Sequence, residues 1–210
     1  MPADNGSLMG LLVDYGGVLT TNVWDSFRAF CEAEGIEREE VRRAFRDRPE
    51  AMALLRRLEA GELTEEEFAP LFGPIIGVRE ERTEGLVDRL FAGMQPEHAM
   101  IEALRRARAA GLRTGLISNS WGRGRYDRDS FAELFDGVVI SGEVGLYKPQ
   151  PEIFRLGAER IGLTPEECVF VDDLRENCEG AEAVGMQAVL HRGAEASLEQ
   201  LEELLGVVLR

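Results

Sequence analysis

Residues 8–19 read LMGLLVDYGGVL, and the fold of the chain can be worked out from this stretch. Residues 8–13 are apolar without polar alternation, which is typical of a strand buried on both faces of a parallel sheet. The run ends directly at Asp14, and Gly16 and Gly17 follow. Ligands bind at the carboxyl ends of strands in open α/β sheets, so Asp14 is a candidate site residue. A single aspartate at such a place also commonly caps a turn.

Four further apolar runs extend this pattern into a sheet. Between most of them lie segments with helical periodicity, several of which end at a glycine. This alternation predicts an α/β protein with a Rossmann-like open parallel sheet of about five strands and helices on both faces. The further strand-like runs are residues 112–117, 138–140, 168–171 and 188–190, and the helical segments are residues 96–110, 151–161, 175–184 and 197–205.

The segment from residue 21 to residue 93 interrupts that alternation. It has helical spacing and no strand-like run, so it predicts a helical insertion after the first strand. Thr64 and Glu67 have the spacing of a capping box at a helix start. We therefore expect a core domain of residues 1–20 and 94–210 and a helical domain of residues 21–93. Phenylalanines at helical spacing are expected to form the interior of the helical domain: Phe27, Phe30, Phe45, Phe68 and Phe72.

The chain has 210 residues with 39 acidic and 24 basic side chains, a formal net charge of −15. This charge repels nucleic-acid backbones and anionic membranes, which argues against both as partners. Three cysteines without a C-x-x-C pair fit neither a disulfide framework nor a zinc site. Residues 1–7 are polar and lack a basic region, and no apolar stretch approaches roughly 18 residues, so neither a secretion signal nor a membrane span is expected. We expect a soluble cytoplasmic protein, a monomer or a homodimer.

The spacing of the histidines and of the clustered arginines does not indicate a functional site. His98 and His191 are far apart in the chain and are expected at the surface or as caps. The paired arginines alternate with glutamates in helical segments, which is typical of solvated helix faces with i,i+4 ion pairs. These pairs are Arg42-Arg43, Arg56-Arg57 and Arg105-Arg106.

A second apolar run also ends in carboxylates, because Asp172 and Asp173 follow residues 168–171. If this strand end meets Asp14, like charges about 4 Å apart repel by roughly 4 kcal/mol at an effective dielectric constant near 20. Protons or a cation must compensate, and Mg²⁺ is typically held by one or two carboxylates together with water and a substrate phosphate. A divalent ion is the simplest answer, so the pattern predicts a magnesium site; for Asp172 and Asp173 alone, a polar turn before a helix is the alternative.

Two more features could serve a phosphate. The second predicted strand runs into Ser118, Asn119 and Ser120, whose hydroxyl, amide and backbone N–H groups can form a neutral phosphate cradle. Lys148, the only lysine among the 24 basic side chains, precedes Pro149 in a loop rich in glycine. Its ammonium is a compact charge that can neutralise both a carboxylate and a phosphoryl oxygen.

Taken in chain order, these segments resemble the haloacid dehalogenase superfamily of phosphohydrolases, and the resemblance covers essentially the whole chain. The matching motifs are residues 14–19 (DYGGVL), Ser118-Asn119, Lys148-Pro149 and Asp172-Asp173. The chain looks closer still to the amino-terminal phosphatase domain of soluble epoxide hydrolases and to related bacterial sugar phosphatases. Residues 118–121, residues 145–154 and the segment from Asp172 through Asn177 to Ala181 carry that similarity.

The resemblance implies a role for each motif. Asp14 would be the nucleophile that attacks phosphorus and forms an aspartyl-phosphate, which water then hydrolyses. Ser118 and the backbone of Asn119 would bind the phosphoryl oxygens, and Lys148 would stabilise charge. Asp14, Asp172 and the backbone carbonyl of Gly16 would hold Mg²⁺, with Asp173 acting through water or as an orienting group. The helical insertion would be a cap that closes over the site and excludes water.

Gly16 departs from the family pattern. The family usually has a second aspartate here, two residues after the nucleophile, and that aspartate is the general acid and base. Glycine keeps the metal-binding carbonyl but removes the carboxyl that protonates the leaving group, a contribution worth about 10²- to 10⁴-fold. Some active relatives share this glycine. We therefore expect a preference for good leaving groups, with water, Thr20 or Thr21 as a weak substitute.

Two other functions remain open from the sequence. True haloacid dehalogenases also lack the second aspartate, so a metal-independent 2-haloacid dehalogenase is one alternative; it would not need the pair Asp172-Asp173. A weakly active or inactive phosphate-binding module of the same fold is the other alternative.

Trp121 and Arg123 are expected to line the substrate pocket, in a loop beside the predicted phosphate cradle.

Overall fold

A computed structural model describes residues 8–122 and 126–210 of the chain. The described residues form five strands: β1 (Gly10–Val13), β2 (Arg113–Ser118), β3 (Gly137–Ile140), β4 (Cys168–Asp172) and β5 (Gln187–Leu190). Their order in the sheet is β3-β2-β1-β4-β5, and every neighbouring pair is parallel. The predicted five-stranded parallel sheet is therefore confirmed, with β1 at its centre.

The helices within residues 23–91 come between β1 and β2. They are α1 (Val23–Glu34), α2 (Glu40–Asp47), α3 (Pro49–Glu59), α4 (Glu65–Phe72) and α5 (Leu86–Phe91). Those that follow are α6 (His98–Ala109), α7 (Phe131–Leu134), α8 (Ser141–Val144), α9 (Pro151–Arg160), α10 (Arg175–Glu182) and α11 (Ala194–Leu205). Short 3₁₀ turns occupy Pro74–Ile76, Glu80–Arg82, Arg128–Ser130 and Pro165–Glu167.

Helices cover both faces of the sheet because its strands are apolar on both sides. Leu11 packs in one cluster with Met100 and Leu104 of α6. Leu12, whose side chain points to the opposite face, packs with Phe154 of α9 and with Phe170. This alternation fixes the register, since a shift of one residue would exchange the two faces.

Several helix bounds differ from the predicted ones by a few residues. The segment predicted from residue 96 begins its helix at His98, because Pro96 forms a bridge with Thr20 in extended conformation. Backbone hydrogen bonds from Thr21 N to Gln95 O and from Glu97 N to Leu19 O, each 2.8 Å long, complete this pairing. The chain therefore leaves β1 for the insertion and returns from it along one short two-stranded connection.

The helices of the insertion enclose a hydrophobic cluster of their own. Phe45 stacks on Phe72 with 4.9 Å between ring centroids, and Phe27, Phe30 and Phe68 belong to the same cluster. The predicted capping box at Thr64 is confirmed, with reciprocal hydrogen bonds between Thr64 and Glu67. This clustering is consistent with the expected division into core and helical domains, which stays a prediction.

The three cysteines are free thiols, and the two histidines differ in their exposure. Cys31, Cys168 and Cys178 are buried free thiols. His98 is exposed at the start of α6, but His191 is neither at the surface nor a helix cap: it is buried, and its Nδ1 lies 2.9 Å from Ser197 Oγ. No helix in the described part of the chain has the length and apolar character needed to cross a membrane.

The Gly157→Ala substitution tests the packing of α9 on the sheet. A Cβ at Gly157 would lie 2.3 Å from Ile117 Cδ1, so the helix or the buried Ile117 must move. Overpacking of this kind costs about 1–3 kcal/mol, more than alanine gains over glycine in a helix. Urea denaturation should show a lower free energy of unfolding for Gly157→Ala and nearly unchanged stability for the exposed control Glu159→Ala. A Gly157→Ala protein as stable as the parent would contradict this packing.

Candidate active site

Three neighbouring strands bring polar side chains to the same edge of the sheet. Val13 of β1 pairs with Leu116 of β2 on one side and with Val171 of β4 on the other. Because all three strands are parallel, their carboxyl ends lie together, where Asp14, Ser118 and Asp172 are found. The backbone N–H of Asp14 continues the ladder by donating to Val171 O over 2.9 Å.

Lys148 joins the carboxylates of two of these strands. Its Nζ lies 2.8 Å from Asp14 Oδ1 and 2.6 Å from Asp172 Oδ2, and the residue is only 3% exposed. The neighbouring Phe170 ring has its centroid 5.3 Å from Nζ. Attraction by both carboxylates outweighs burial and raises the pKa of Lys148 above its usual range, so the ammonium is charged. One buried cation therefore holds the ends of β1 and β4 together.

Asn119 fixes the loop that presents Lys148. The Lys148 backbone N–H donates to Asn119 Oδ1 over 2.8 Å, and Asn119 Nδ2 donates to the Lys148 carbonyl over 3.2 Å. The side-chain amide thereby imitates a backbone partner for the loop. The sequence-based hypothesis gives Asn119 a phosphate-binding backbone; in the structure its side chain positions the lysine.

Asp172 is held in one orientation by several donors. Besides Lys148, it accepts hydrogen bonds from Leu174 N at 2.8 Å and from Asn177 Nδ2 at 3.0 and 3.1 Å. The residue has no exposed surface. Asn177 lies in a segment that carries the family resemblance, but the sequence assigned it no role; its location on the first turns of α10 brings its amide to Asp172.

Asp14, Asp172 and Asp173 form an acidic cluster with a single lysine. Each offers a carboxylate oxygen within 4.8 Å of the other two. Burial raises the pKa of Asp14 to about 7, against the attraction of Lys148, and repulsion from the other two aspartates adds to the increase. Burial and the charge of Asp172 raise the pKa of Asp173 to about 6. The negative charge at this edge thus exceeds what Lys148 neutralises, so the cluster could hold a cation.

Gly16 and Gly17, which follow Asp14, differ in whether the fold requires a glycine there. Gly17 adopts φ +77°, and a Cβ there would lie 2.6 Å from Asp173 Oδ2, so a side chain would displace that carboxylate. Gly16 is not in the left-handed region, and a Cβ there would lie 3.3 Å from Val23 Cγ2, a contact that a small shift relieves. The backbone therefore requires glycine at position 17. Position 16 has room for a side chain after a small shift, so the missing carboxyl there affects the chemistry of the site and is not imposed by the fold.

Ser118 and Ser120 occupy different places at the end of β2. Ser118 faces the site, and its Oγ accepts a hydrogen bond of 3.1 Å from the Tyr126 hydroxyl. Burial raises the pKa of Tyr126 to about 12, so this phenol stays a donor at neutral pH. Ser120 is buried, and its backbone N–H donates to Ser141 Oγ over 2.8 Å. Sequence reasoning missed Tyr126, because its position after a glycine- and arginine-rich loop gives no periodic pattern.

A cavity of about 870 Å³ opens above the acidic cluster and extends between the sheet edge and the helical insertion. Aromatic side chains form much of its wall. Trp121 packs against Phe27, Phe45 and Phe91 with centroid distances of 5.5, 5.7 and 5.1 Å. Trp121 also lines the cavity, and its contact with substrate stays a prediction. The other residue assigned to this pocket, Arg123, lies outside the described residues.

Charged residues of the insertion also line this cavity, which the sequence did not predict. Arg42 and Arg56 are exposed, as expected, and both also contribute to the wall, together with Arg46 and Glu59. The Arg42 guanidinium lies 5.6 Å from the centre of the Trp24 ring. Helical spacing does not show which exposed face of a helix borders a cavity, so the place of these two arginines beside it could not be predicted. Arg105 and Arg106 do pair with Glu102, as expected.

The chain is an α/β protein whose site lies at the carboxyl edge of an open parallel sheet. Two strands supply carboxylates to this edge, and a buried lysine lies between them. Over residues 8–185 the chain matches haloacid dehalogenase-like hydrolases. The protein belongs to this hydrolase family, and the resemblance drawn from its motifs is confirmed.

Known relatives and structures agree with this assignment. Bifunctional epoxide hydrolase 2 from Sus scrofa is 28% identical over 131 residues, which are 59% of this chain and 24% of that protein. Glyceraldehyde 3-phosphate phosphatase from Methanopyrus kandleri is 34% identical over 117 residues, 53% of this chain and 50% of that protein. The magnesium complex of a HAD family enzyme from Bacteroides thetaiotaomicron shares the fold, with a TM-score of 0.62 and 22% identity over 88% of this chain and 93% of that one. The chain thus spans half or less of the length of these two curated relatives.

The Lys148→Met substitution tests the central ion pairs. It leaves two buried carboxylates without their cation, a change that typically costs about 3–5 kcal/mol. Without the lysine, the buried carboxyls of the folded variant keep their protons at pH values where an unfolded chain has already released them, because an aspartate in the unfolded chain has a pKa of about 3.9. The stability of the variant should accordingly rise as the pH falls from about 7 to about 4.

Urea denaturation at several pH values, without divalent cations, measures this effect. Arg105→Met is the control, since it removes an exposed cation from a surface ion pair and should change stability little. A Lys148→Met protein of parental stability at pH 7 would contradict the assigned role of the lysine.

Proposed function

We propose that the protein is a magnesium-dependent phosphohydrolase that acts on a small phosphate monoester through an aspartyl-phosphate on Asp14. The observation that carries the proposal is the acidic cluster of Asp14, Asp172 and Asp173 bridged by Lys148 at the floor of a cavity. Relatives named as phosphatases and a structural neighbour crystallised with magnesium support it. A metal-independent dehalogenase would not need the pair Asp172-Asp173.

The residues of the cluster fit a hard divalent cation. Asp14 and Asp172, with Asp173 beside them and the backbone carbonyl of Gly16, offer oxygen donors of the kind that Mg²⁺ prefers. Burial is the main cause of the raised pKa values of Asp14 and Asp173, and repulsion among the carboxylates adds to it. With three carboxylates and one lysine, the cluster carries negative charge that Lys148 alone does not balance. When bound, the ion would neutralise this charge and draw the phosphoryl group toward the nucleophile.

The protein's own side chains supply the remaining steps. The Asp14 carboxylate attacks phosphorus in line with the departing oxygen and forms the aspartyl-phosphate, which water then hydrolyses. Lys148 orients Asp14 through its 2.8 Å contact and offsets the charge of the phosphoryl oxygens. Ser118, oriented by Tyr126, and the Asn119 backbone N–H donate hydrogen bonds to the phosphoryl group.

The cavity supports a substrate of metabolite size. Its volume of about 870 Å³ lies in the usual range of small-molecule sites. Aromatic rings such as Trp24 and Trp121 would contact the apolar part of the ester, and Arg42 and Arg56 would contact anionic groups on it. No nucleic acid or membrane partner is proposed, in keeping with the net charge of −15. Three buried free thiols suit the reducing cytoplasm, and a monomer or homodimer remains our expectation.

The Asp14→Asn substitution tests the nucleophile. The parent protein should hydrolyse 4-nitrophenyl phosphate with Mg²⁺ and lose this activity on chelation. Asp14→Asn should lose more than about 10³-fold of the rate, since the amide cannot form the intermediate. The exposed control Asp129→Asn, outside the cavity, should retain it.

Other results would overturn the proposal. Binding of Mg²⁺ and phosphate by the parent protein without any turnover would identify a binding module. Release of chloride from a 2-haloacid in the absence of metal would identify a dehalogenase.

A further inference from the structure

The loop after Asp14, residues 15–22, contains no carboxyl that could protonate the leaving oxygen. Gly16 stands where a carboxyl would be expected, and the hydroxyl groups suggested as substitutes are poorly suited. Thr21 Oγ1 accepts a hydrogen bond from Gln95 N at 3.0 Å and is not part of the cavity wall. Thr20 Oγ1 accepts one from Gly17 N at 3.1 Å, within the loop after Asp14. The Tyr126 hydroxyl is committed to Ser118.

We propose that Glu59, at the end of α3 in the helical insertion, is the general acid and base of the reaction; this inference rests on the proposed function. Glu59 lines the same cavity as Asp14 and Lys148. Asn119, the residue that positions Lys148, belongs to the same cavity wall. The carboxyl that the nucleophile loop lacks would thus reach the site from the opposite wall.

The backbone of Glu59 is tied to the core of the protein. Ser141, completely buried at the start of α8, accepts a hydrogen bond from Ser120 N and donates one to the Glu59 carbonyl. Gly61 packs against Gly142 so closely that a Cβ at Gly61 would lie 2.6 Å from Gly142 O. These contacts hold the end of α3 beside the end of β2, so the position of Glu59 relative to Ser118 does not depend on a flexible loop.

The surroundings of Glu59 favour proton exchange near neutral pH. Burial raises its pKa to about 7; Lys148, Asn119 and Arg56 oppose this shift, and Asp14 adds to it. A group whose pKa lies near the working pH serves well as a general acid and base. The other carboxyls of the cavity wall are less suitable, because Asp14 and Asp173 belong to the acidic cluster and Glu176 is exposed.

The proton balance assigns Glu59 one transfer in each half of the reaction. As the Asp14 oxygen bonds to phosphorus, the phosphorus bond to the ester oxygen breaks, and that oxygen keeps the electron pair. It takes the proton of the Glu59 carboxyl and leaves as an alcohol. In the second half, water attacks the aspartyl-phosphate and gives a proton to the Glu59 carboxylate. The phosphorus bond to Asp14 breaks, phosphate leaves, and both carboxyl groups return to their initial states.

The Glu59→Gln substitution tests this role with two substrates of similar size, 4-nitrophenyl phosphate and benzyl phosphate. A nitrophenolate leaves without a proton, whereas a benzyl alkoxide needs one. Glu59→Gln should therefore lower kcat/KM for benzyl phosphate by about 10²- to 10⁴-fold and that for 4-nitrophenyl phosphate by less than about 10-fold. For the parent protein, kcat on benzyl phosphate should fall as the pH rises through about 7, because the acid loses its proton; Glu59→Gln should lack this decline.

The control is Glu62→Gln, which changes an exposed carboxylate three residues further on, outside the cavity wall. It should leave both activities at parental values. An equal loss on both substrates in Glu59→Gln, or no loss on either, would overturn the proposal, and retained 4-nitrophenyl phosphate turnover shows that the variant is folded. A parent protein that cleaves 4-nitrophenyl phosphate but not benzyl phosphate would also overturn it. Failure of the proposed function itself appears differently, as no turnover of either substrate by the parent.

Discussion

The contact of Lys148 Nζ with Asp14 and Asp172 is the interaction on which the site depends. Two adjacent parallel strands end in carboxylates at the same edge, and their repulsion would push the strand ends apart without a cation between them. A lysine is suited to this place, because its compact ammonium can meet one oxygen of each carboxylate, whereas a planar guanidinium needs a wider space. Charge balance at the sheet edge is therefore a condition of the fold as well as of the proposed chemistry.

The helical insertion forms the other side of the cavity that opens at the sheet edge. Its aromatic side chains pack around Trp121, which belongs to the loop after β2, so the insertion and that loop share one apolar wall. Ser141 ties the end of α3 to the core through its buried hydroxyl. A carboxyl carried by the insertion, that of Glu59, is thereby held in the wall of the cavity that Lys148 and Asp14 also line, without being part of the family motifs.

The strands and the principal site residues could be predicted from the sequence because each depends on local order. Apolar runs without alternation indicated buried strands, and Asp14 and Asp172 follow such runs directly. The interpretation was wrong where a contact between distant segments decides the outcome. His191 is buried because a residue of the following helix, Ser197, packs against it.

The sequence by itself determined the parallel sheet, the acidic strand ends and the absence of a carboxyl at Gly16, since these follow from the order of residues along single segments. Only the tertiary structure decided which cations and acids meet there. Lys148 and Glu59 are separated from Asp14 by long stretches of chain, and the distances among them depend on how α3 and the loop before α9 pack onto the sheet. A carboxyl lost at one position can be supplied from another part of the chain, because proton transfer depends on proximity in space.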